Sequence, residues 1–175
     1  MKKLLFITSY FPPLGGPGVQ RQLYYVHYAD SHGWQPTVLT TKEVLYHVYD
    51  DTLMEKIPSS VEIIRTESLE FGRLLYILSK IKSIFTLRKA DKSTAEHRKV
   101  SSYLMRVGRW IRDWLTIIDD RILWIPFALP TAIITVKKKN IDVIVARGGP
   151  YSNTILGWIV SKITKRPLVL DLADP

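Results

Sequence analysis

The residues Lys-Leu-Leu-Phe-Ile-Thr-Ser at positions 3–9 lead into Tyr-Phe-Pro-Pro-Leu-Gly-Gly-Pro-Gly and then into a stretch whose apolar residues recur at helical spacing. The first run has the length of a strand and is almost continuously apolar, the pattern of a parallel strand covered on both faces. A strand that passes through a glycine-rich bend straight into a helix aims backbone N–H groups and a positive helix end at one point, which suits a phosphate. That order of parts restricts the chain to a layered α/β fold and marks the bend as its functional edge.

The remaining chain continues the alternation. After the bend, Val19, Leu23, Val26 and Ala29 form an apolar face with Arg21, Gln22 and Asp30 turned outward, and Gly33 marks the stop. Strands are predicted at 36–41 and 61–66, with no legible pattern from 42 to 60. Two amphipathic helical stretches follow: Phe71, Leu74, Leu75, Leu78, Ile81 and Phe85 share one face, and Val100, Leu104, Val107, Ile111, Trp114 and Ile118 share another. A charged loop at 88–99 separates them. Pro130 is placed to start a helix that turns Ala132, Ile133 and Val136 inward and stops at Lys137-Lys-Lys-Asn140. A fourth strand at 141–146 runs into a second bend, Gly148-Gly-Pro150, with Ser152 as N-cap of a helix to Thr164, and a last strand spans 167–172. Short apolar strands alternating with helices predict a doubly wound parallel sheet, whose sites lie beyond the carboxyl ends of its strands. Both glycine bends follow strands, so both converge on that edge.

Composition narrows the chemistry. With 175 residues, 46% of them apolar, the chain can bury one domain's core. It has no cysteine, hence no disulfide framework or thiolate metal site, and its four scattered histidines form no helical HExxH pair. A metal-free, cytoplasmic protein is expected. The apolar start of the chain is cut short by Thr8-Ser9 and Pro12-Pro13, which favours a buried strand over a secretory leader. The uncharged stretch 122–136 is shorter than the roughly 20 residues a bilayer needs and holds two prolines.

Gly15-Gly16-Pro17-Gly18 is not the dinucleotide fingerprint, which needs GxGxxG and an acidic residue after the second strand, where this chain has Thr40-Thr41. Nor does a GK[ST] follow to make a P-loop. The run from Gly16 through Val-Gln-Arg-Gln-Leu-Tyr-Tyr to Ala29, continued by Gly33-Trp-Gln-Pro-Thr-Val-Leu-Thr40, resembles instead the N-terminal domain of GT-B glycosyltransferases of the family 4-like type. The resemblance recurs in Asp120-Arg-Ile-Leu-Trp124-Ile-Pro-Phe-Ala, in Arg147-Gly-Gly-Pro-Tyr-Ser-Asn153 and in Asp171-Leu-Ala-Asp-Pro175. It implies a Rossmann-like domain over residues 1–175, carrying an inserted basic helical segment at 70–118, and a second domain after it that holds most of a nucleotide-sugar donor. No cofactor is implied beyond that donor substrate. The chain would be the acceptor-side half of a metal-independent, retaining hexosyltransferase of bacterial envelope polysaccharide or lipopolysaccharide assembly, inactive by itself.

By the same resemblance Gly15, Gly16, Pro17 and Gly18 would lie under the donor's phosphates, where a helix N-terminus stabilises charge on the departing diphosphate. Arg21, Asp120, Arg147, Gly149, Tyr151, Ser152, Asn153, Asp171 and Asp174 would line the cleft. Two departures stand out: Ser152-Asn153 replaces a common Ser-Ser-His, and Ala173 replaces the arginine of a common Arg-Asp-Pro-Trp. Arg147 or Arg21 is then expected to supply the missing positive charge.

Between positions 73 and 112 stand eleven Lys or Arg against Asp91 and Glu96, a surplus equal to the chain's whole net charge of +9. Arg106, Arg109 and Arg112 beside Trp110 and Trp114 fit an amphipathic helix on an anionic membrane, and equally a helix packed through its tryptophans with solvated arginines. A peripheral membrane module without catalysis is the alternative function, and a lipid-linked acceptor would join the two readings on the inner face of the membrane. Nucleic acid is not expected as a partner, since no recognised binding motif is present.

Overall fold

The computed structural model describes residues 1–42, 48–69, 119 and 121–172. The expected helical insertion at 70–118, with Arg106, Arg109, Trp110, Arg112 and Trp114, lies outside the described residues, as do Asp120 and Asp174.

Among the described residues five strands form one sheet: β1 (Lys2–Ile7), β2 (Trp34–Thr41), β3 (Glu62–Thr66), β4 (Val143–Arg147) and β5 (Leu168–Asp171). Their order is β3-β2-β1-β4-β5 and every pairing is parallel, with Phe6 opposite both Val38 and Val145. The chain steps outward from β1 to β3 and then crosses back to β4, so the strand order reverses between β1 and β4. That reversal opens a crevice at the carboxyl ends of these two strands, the usual place for a ligand in such sheets. The fold is the expected Rossmann-like α/β layer structure.

β1 is buried on both faces because alternate residues serve different cores. Leu5 and Ile7 pack with Leu39, Ile144, Ala146 and the helices α2 (Ile125–Lys139) and α3 (Tyr151–Thr164), while Leu4 and Phe6 pack with Val38, Val145 and Val26 of α1 (Pro17–Ser31). α3 lies so close to the sheet that a Cβ on Gly157 would stand 2.6 Å from the Cβ of Ala146 and 3.2 Å from Leu168 Cδ1. Gly157→Val is therefore expected to destabilise the protein by about 2–3 kcal/mol through overpacking, read as a lower urea midpoint at unchanged m-value.

Three local expectations are corrected. Gln22 is buried, not outward: it shares the face of Val19 and Val26, and its Oε1 accepts a 2.6 Å hydrogen bond from the Thr8 hydroxyl that satisfies the buried amide. Pro130 lies inside α2 rather than at its start. The helix begins earlier because fully buried Trp124, whose Nε1 donates to Thr66 Oγ1 at 2.8 Å, anchors the turn ahead of it, leaving Pro126 in the first turn. Ser152 is not the N-cap of α3; Pro150 is, and Ser152 sits one residue inside the helix. The unread connection after β2 contains a short 3₁₀ turn, Asp51–Lys56, whose buried Leu53 packs on Leu14, Val19 and Leu23.

Candidate functional site

The two glycine bends meet at the crevice, and their helices differ in one respect that decides what each can bind. α1 starts at Pro17 behind Gly16, which takes φ of +99°, a backbone conformation that favours glycine. Its N-cap, Gly16, has no side chain to offer, no acidic residue stands in its first turn, and among the described residues no side chain bonds to this end. Pro17 brings no N–H, so the amides of Gly18 and Val19 are the first to point out of the helix, and a Cβ on Gly18 would meet nothing within 4 Å. This N-terminus is open and electropositive. Gly15 has a different role: it is buried, its N–H donates to the Val48 carbonyl at 3.0 Å, and a Cβ there would stand 2.7 Å from Val48 Cγ1.

α3 presents the opposite situation. Asp119 lays its carboxylate across the helix start, accepting from the Ser152 amide at 2.6 Å and the Ser152 hydroxyl at 2.7 Å. The same carboxylate accepts from the Arg121 amide at 2.8 Å. A negative group of the protein thus already fills the place where an anion would sit.

Beyond these helix ends three charged side chains from three elements come together. Arg147, only 5% exposed at the end of β4, donates from Nη1 to Asp171 Oδ2 at 2.7 Å. Arg21 of α1 reaches the other carboxylate oxygen at 3.8 Å, with more than half of its own side chain in solvent. Sequence reading brought Arg21, Arg147 and Asp171 to this edge, and the structure joins them in one cluster. Asn153 is fully buried; its Nδ2 donates to the Arg147 carbonyl at 3.1 Å, whereas its Oδ1 and Arg147 Nε are buried with no hydrogen-bond partner among the described residues. Ser152 is also fully buried, while Tyr151 stands exposed at the rim beside Gly149.

Tyr25, one turn along α1 from Arg21, senses the cluster. Burial first, and the Asp171 carboxylate second, raise its phenol above the ordinary value of 10.0. The neutral phenol is thus favoured by the fold, so the contribution of Tyr25 to stability is present below about pH 10 and is lost as pH rises toward the folded value. In a spectrophotometric titration Asp171→Asn is expected to bring the Tyr25 transition down only part of the way, because burial remains.

Sequence reading missed Asp119 and the pair beside it. Arg121 is 4% exposed, donates from Nε to the Tyr10 hydroxyl at 3.2 Å and lies 5.0 Å from the centre of that ring. The signal was available: charged residues directly ahead of a buried tryptophan and an apolar helix have to be paired.

A concavity of about 470 Å3, lined by Leu4, Tyr25, Tyr28, His32, Trp34 and Val143 among others, lies between α1 and the sheet, with Tyr25 at its border toward the cluster. Among the described residues no helix is long and apolar enough to cross a membrane.

No family model matches the chain, and no curated protein matches it. Among solved structures it is similar to UGT2 of Phytolacca americana, determined in complex with UDP-2-fluoro-glucose and pterostilbene, at 11% identity and a TM-score of 0.52. That match covers 97% of this chain and 30% of the UGT2 chain. It is similar too to the C-terminal domain of the PF1911 hydrogenase of Pyrococcus furiosus, at 10% identity and a TM-score of 0.50, over 98% of this chain and 91% of that one. Both likenesses are of fold, a parallel α/β sheet common to a plant UGT and a hydrogenase domain, and function has to be argued from the site.

Proposed function

We propose that this chain is the acceptor-side, N-terminal half of a nucleotide-sugar-dependent glycosyltransferase. The observation that carries the reading is the open N-terminus of α1 at the point of strand reversal, beside an α3 N-terminus already neutralised by Asp119. An unfilled helix end at this position suits the diphosphate of a nucleotide sugar. The likeness to a UDP-sugar-bound UGT over 30% of that chain's length supports the same reading.

In mechanism, the Gly18 and Val19 amides would receive the diphosphate as the bond to the sugar breaks and negative charge grows on the leaving oxygen. An acceptor hydroxyl would attack the anomeric carbon from the side of this domain as the C–O bond to the diphosphate breaks, its proton passing to the departing phosphate oxygen. The Arg147–Asp171–Arg21 cluster sits across the crevice as a charged wall; Arg21, the exposed member, is the cation free to turn toward the phosphates. The donor's sugar and base would be held by a second domain. Metal-independent retention of configuration and a role in envelope polysaccharide or lipopolysaccharide assembly belong to this proposal. So do cleft positions at Asp120 and Asp174.

The test is an amide NMR titration of the chain with UDP and with GDP. Saturable shifts centred on Gly18 and Val19 are the expected result; shifts confined to the α3 terminus, or none at any nucleotide concentration, would sink the reading.

The charge surplus between positions 73 and 112 favours a second property, contact with an anionic membrane through Arg106, Arg109, Trp110, Arg112 and Trp114. The chain should then float with anionic liposomes and lose this on charge reversal of the three arginines, and equal flotation with neutral lipid would refute it.

A further inference from the structure

On the β3 side of the glycine bend the same sheet edge holds a second, smaller cavity, of about 170 Å3, lined by Phe11, Leu14, Thr41, Lys42, Tyr49 and Arg65 among others. It has room for a single sugar ring and is smaller than the roughly 300–1,000 Å3 of a site for a drug-sized ligand. Buried Phe11 and Leu14 give it an apolar base. Arg65, next to last in β3, closes one side, and its guanidinium donates to the carbonyls of Thr41, at 3.4 Å, and Pro12.

Those two bonds use two of the five N–H groups of the guanidinium and fix its plane between the loop after β1 and the end of β2. No carboxylate pairs with Arg65 among the described residues, and burial lowers its pKa from the ordinary arginine value. A half-dry cation held on neutral carbonyls is left with its charge uncompensated, and its remaining N–H groups match a carboxylate or phosphate. Lys42 on the rim is engaged by Glu67 at 2.9 Å, so Arg65 is the cation that sets the charge preference here.

Tyr49 supplies the second element. The residue is 56% exposed, yet its backbone is tied down by a β-bridge to Leu14, with Val48 and Asp50 bonded on either side to Gly15 and Pro13. An aromatic ring on a tethered backbone, lining the cavity beside a held guanidinium, is the pairing that an acidic sugar presents in reverse: an apolar ring face and a charged substituent.

We propose that this cavity seats an acidic sugar unit of the acceptor, its carboxylate or phosphate on the Arg65 guanidinium and its ring against Tyr49. The inference rests on the glycosyltransferase reading and adds an acceptor class to it. An acceptor held here would reach the bend from the β3 side while the diphosphate occupies the start of α1.

The experiment is a heteronuclear NMR titration of the chain with D-glucuronate, D-glucose 6-phosphate, D-glucose and inorganic phosphate, following Tyr49, Thr41 and the Arg65 Nε–H. Both acidic sugars are expected to bind at least about tenfold more tightly than glucose and than phosphate, the scale of a charge-assisted hydrogen bond. The tighter of the two identifies the acid group, carboxylate or phosphate. Arg65→Lys, which keeps the charge and loses the fork, is expected to abolish most of the preference over glucose. Tyr49→Ala is expected to weaken both acidic sugars about fivefold or more, with its urea midpoint measured beside wild type so that binding is compared on folded protein. Glucose binding as well as the acids, inorganic phosphate binding as well as they do, or Tyr49→Ala without effect would each overturn the proposal. If the sugars fail to bind while UDP still shifts Gly18 and Val19, the acidic-sugar site falls and the glycosyltransferase reading stands.

Discussion

Asp119→Ala is expected to cost about 2–3 kcal/mol of stability and roughly 5–10 °C of melting temperature. The carboxylate accepts three hydrogen bonds, from the Ser152 amide and hydroxyl and from the Arg121 amide, and it lies on the positive end of α3. α3 has no side-chain cap within its own sequence, and Ser152 is fully buried, so its two donors would lose their partner without gaining water. Asp119→Asn keeps an acceptor and loses the charge, and should fall about midway. Ser152→Ala removes a single hydroxyl bond and should cost only about 1 kcal/mol. Thermal and urea unfolding of the three variants check this order; an alanine variant as stable as wild type would mean that α3 starts equally well without its cap. The contact also has a consequence for function: it joins the chain just before α2 to the second glycine bend and fixes the Arg147 side of the crevice.

The order of elements was legible because the strands carry a signal that does not depend on context. The runs around Leu5, Val38, Ile64 and Val145 are short, apolar and bounded by polar or glycine-rich segments, and all became strands within two residues of their predicted limits. Strand order was not legible, since periodicity says which residues are buried and not which strand lies beside which. Sites failed where a polar residue is buried by a partner far along the chain. Gln22 reads as a surface residue until Thr8 is placed beside it, 14 positions away. Ser152 reads as a cap until Asp119, 33 positions away, takes that role in its place. Arg65 shows the same limit: in sequence it is one more basic residue ending a strand, and only the Pro12 carbonyl, 53 positions away, reveals it as a held guanidinium facing a cavity. By contrast Gly16 and Gly149 were visible, because a bend after a strand that needs positive φ selects glycine by itself.

Gly18→Asp should separate the site from the fold, because its effects on the two have opposite sign. Gly18 is exposed at the second position of α1, has no neighbour within 4 Å of an added Cβ and does not take a positive φ, so the new side chain meets no clash. A carboxylate there complements the helix dipole and is expected to leave stability unchanged or raise it by about 0.3–1 kcal/mol. The same carboxylate would stand where the donor's diphosphate is proposed to sit. Two such charges at about 5 Å and an effective dielectric near 20 repel on the order of 3 kcal/mol before screening, which predicts at least a tenfold loss of UDP or GDP affinity. Gly18→Asn, of nearly equal size and uncharged, should lose much less, and added salt should restore part of the binding of the aspartate variant alone. A protein that melts no lower and binds nucleoside diphosphate far more weakly would place the anion at the start of α1. Unchanged affinity would remove the diphosphate from this helix end, and with it the observation on which the functional reading stands.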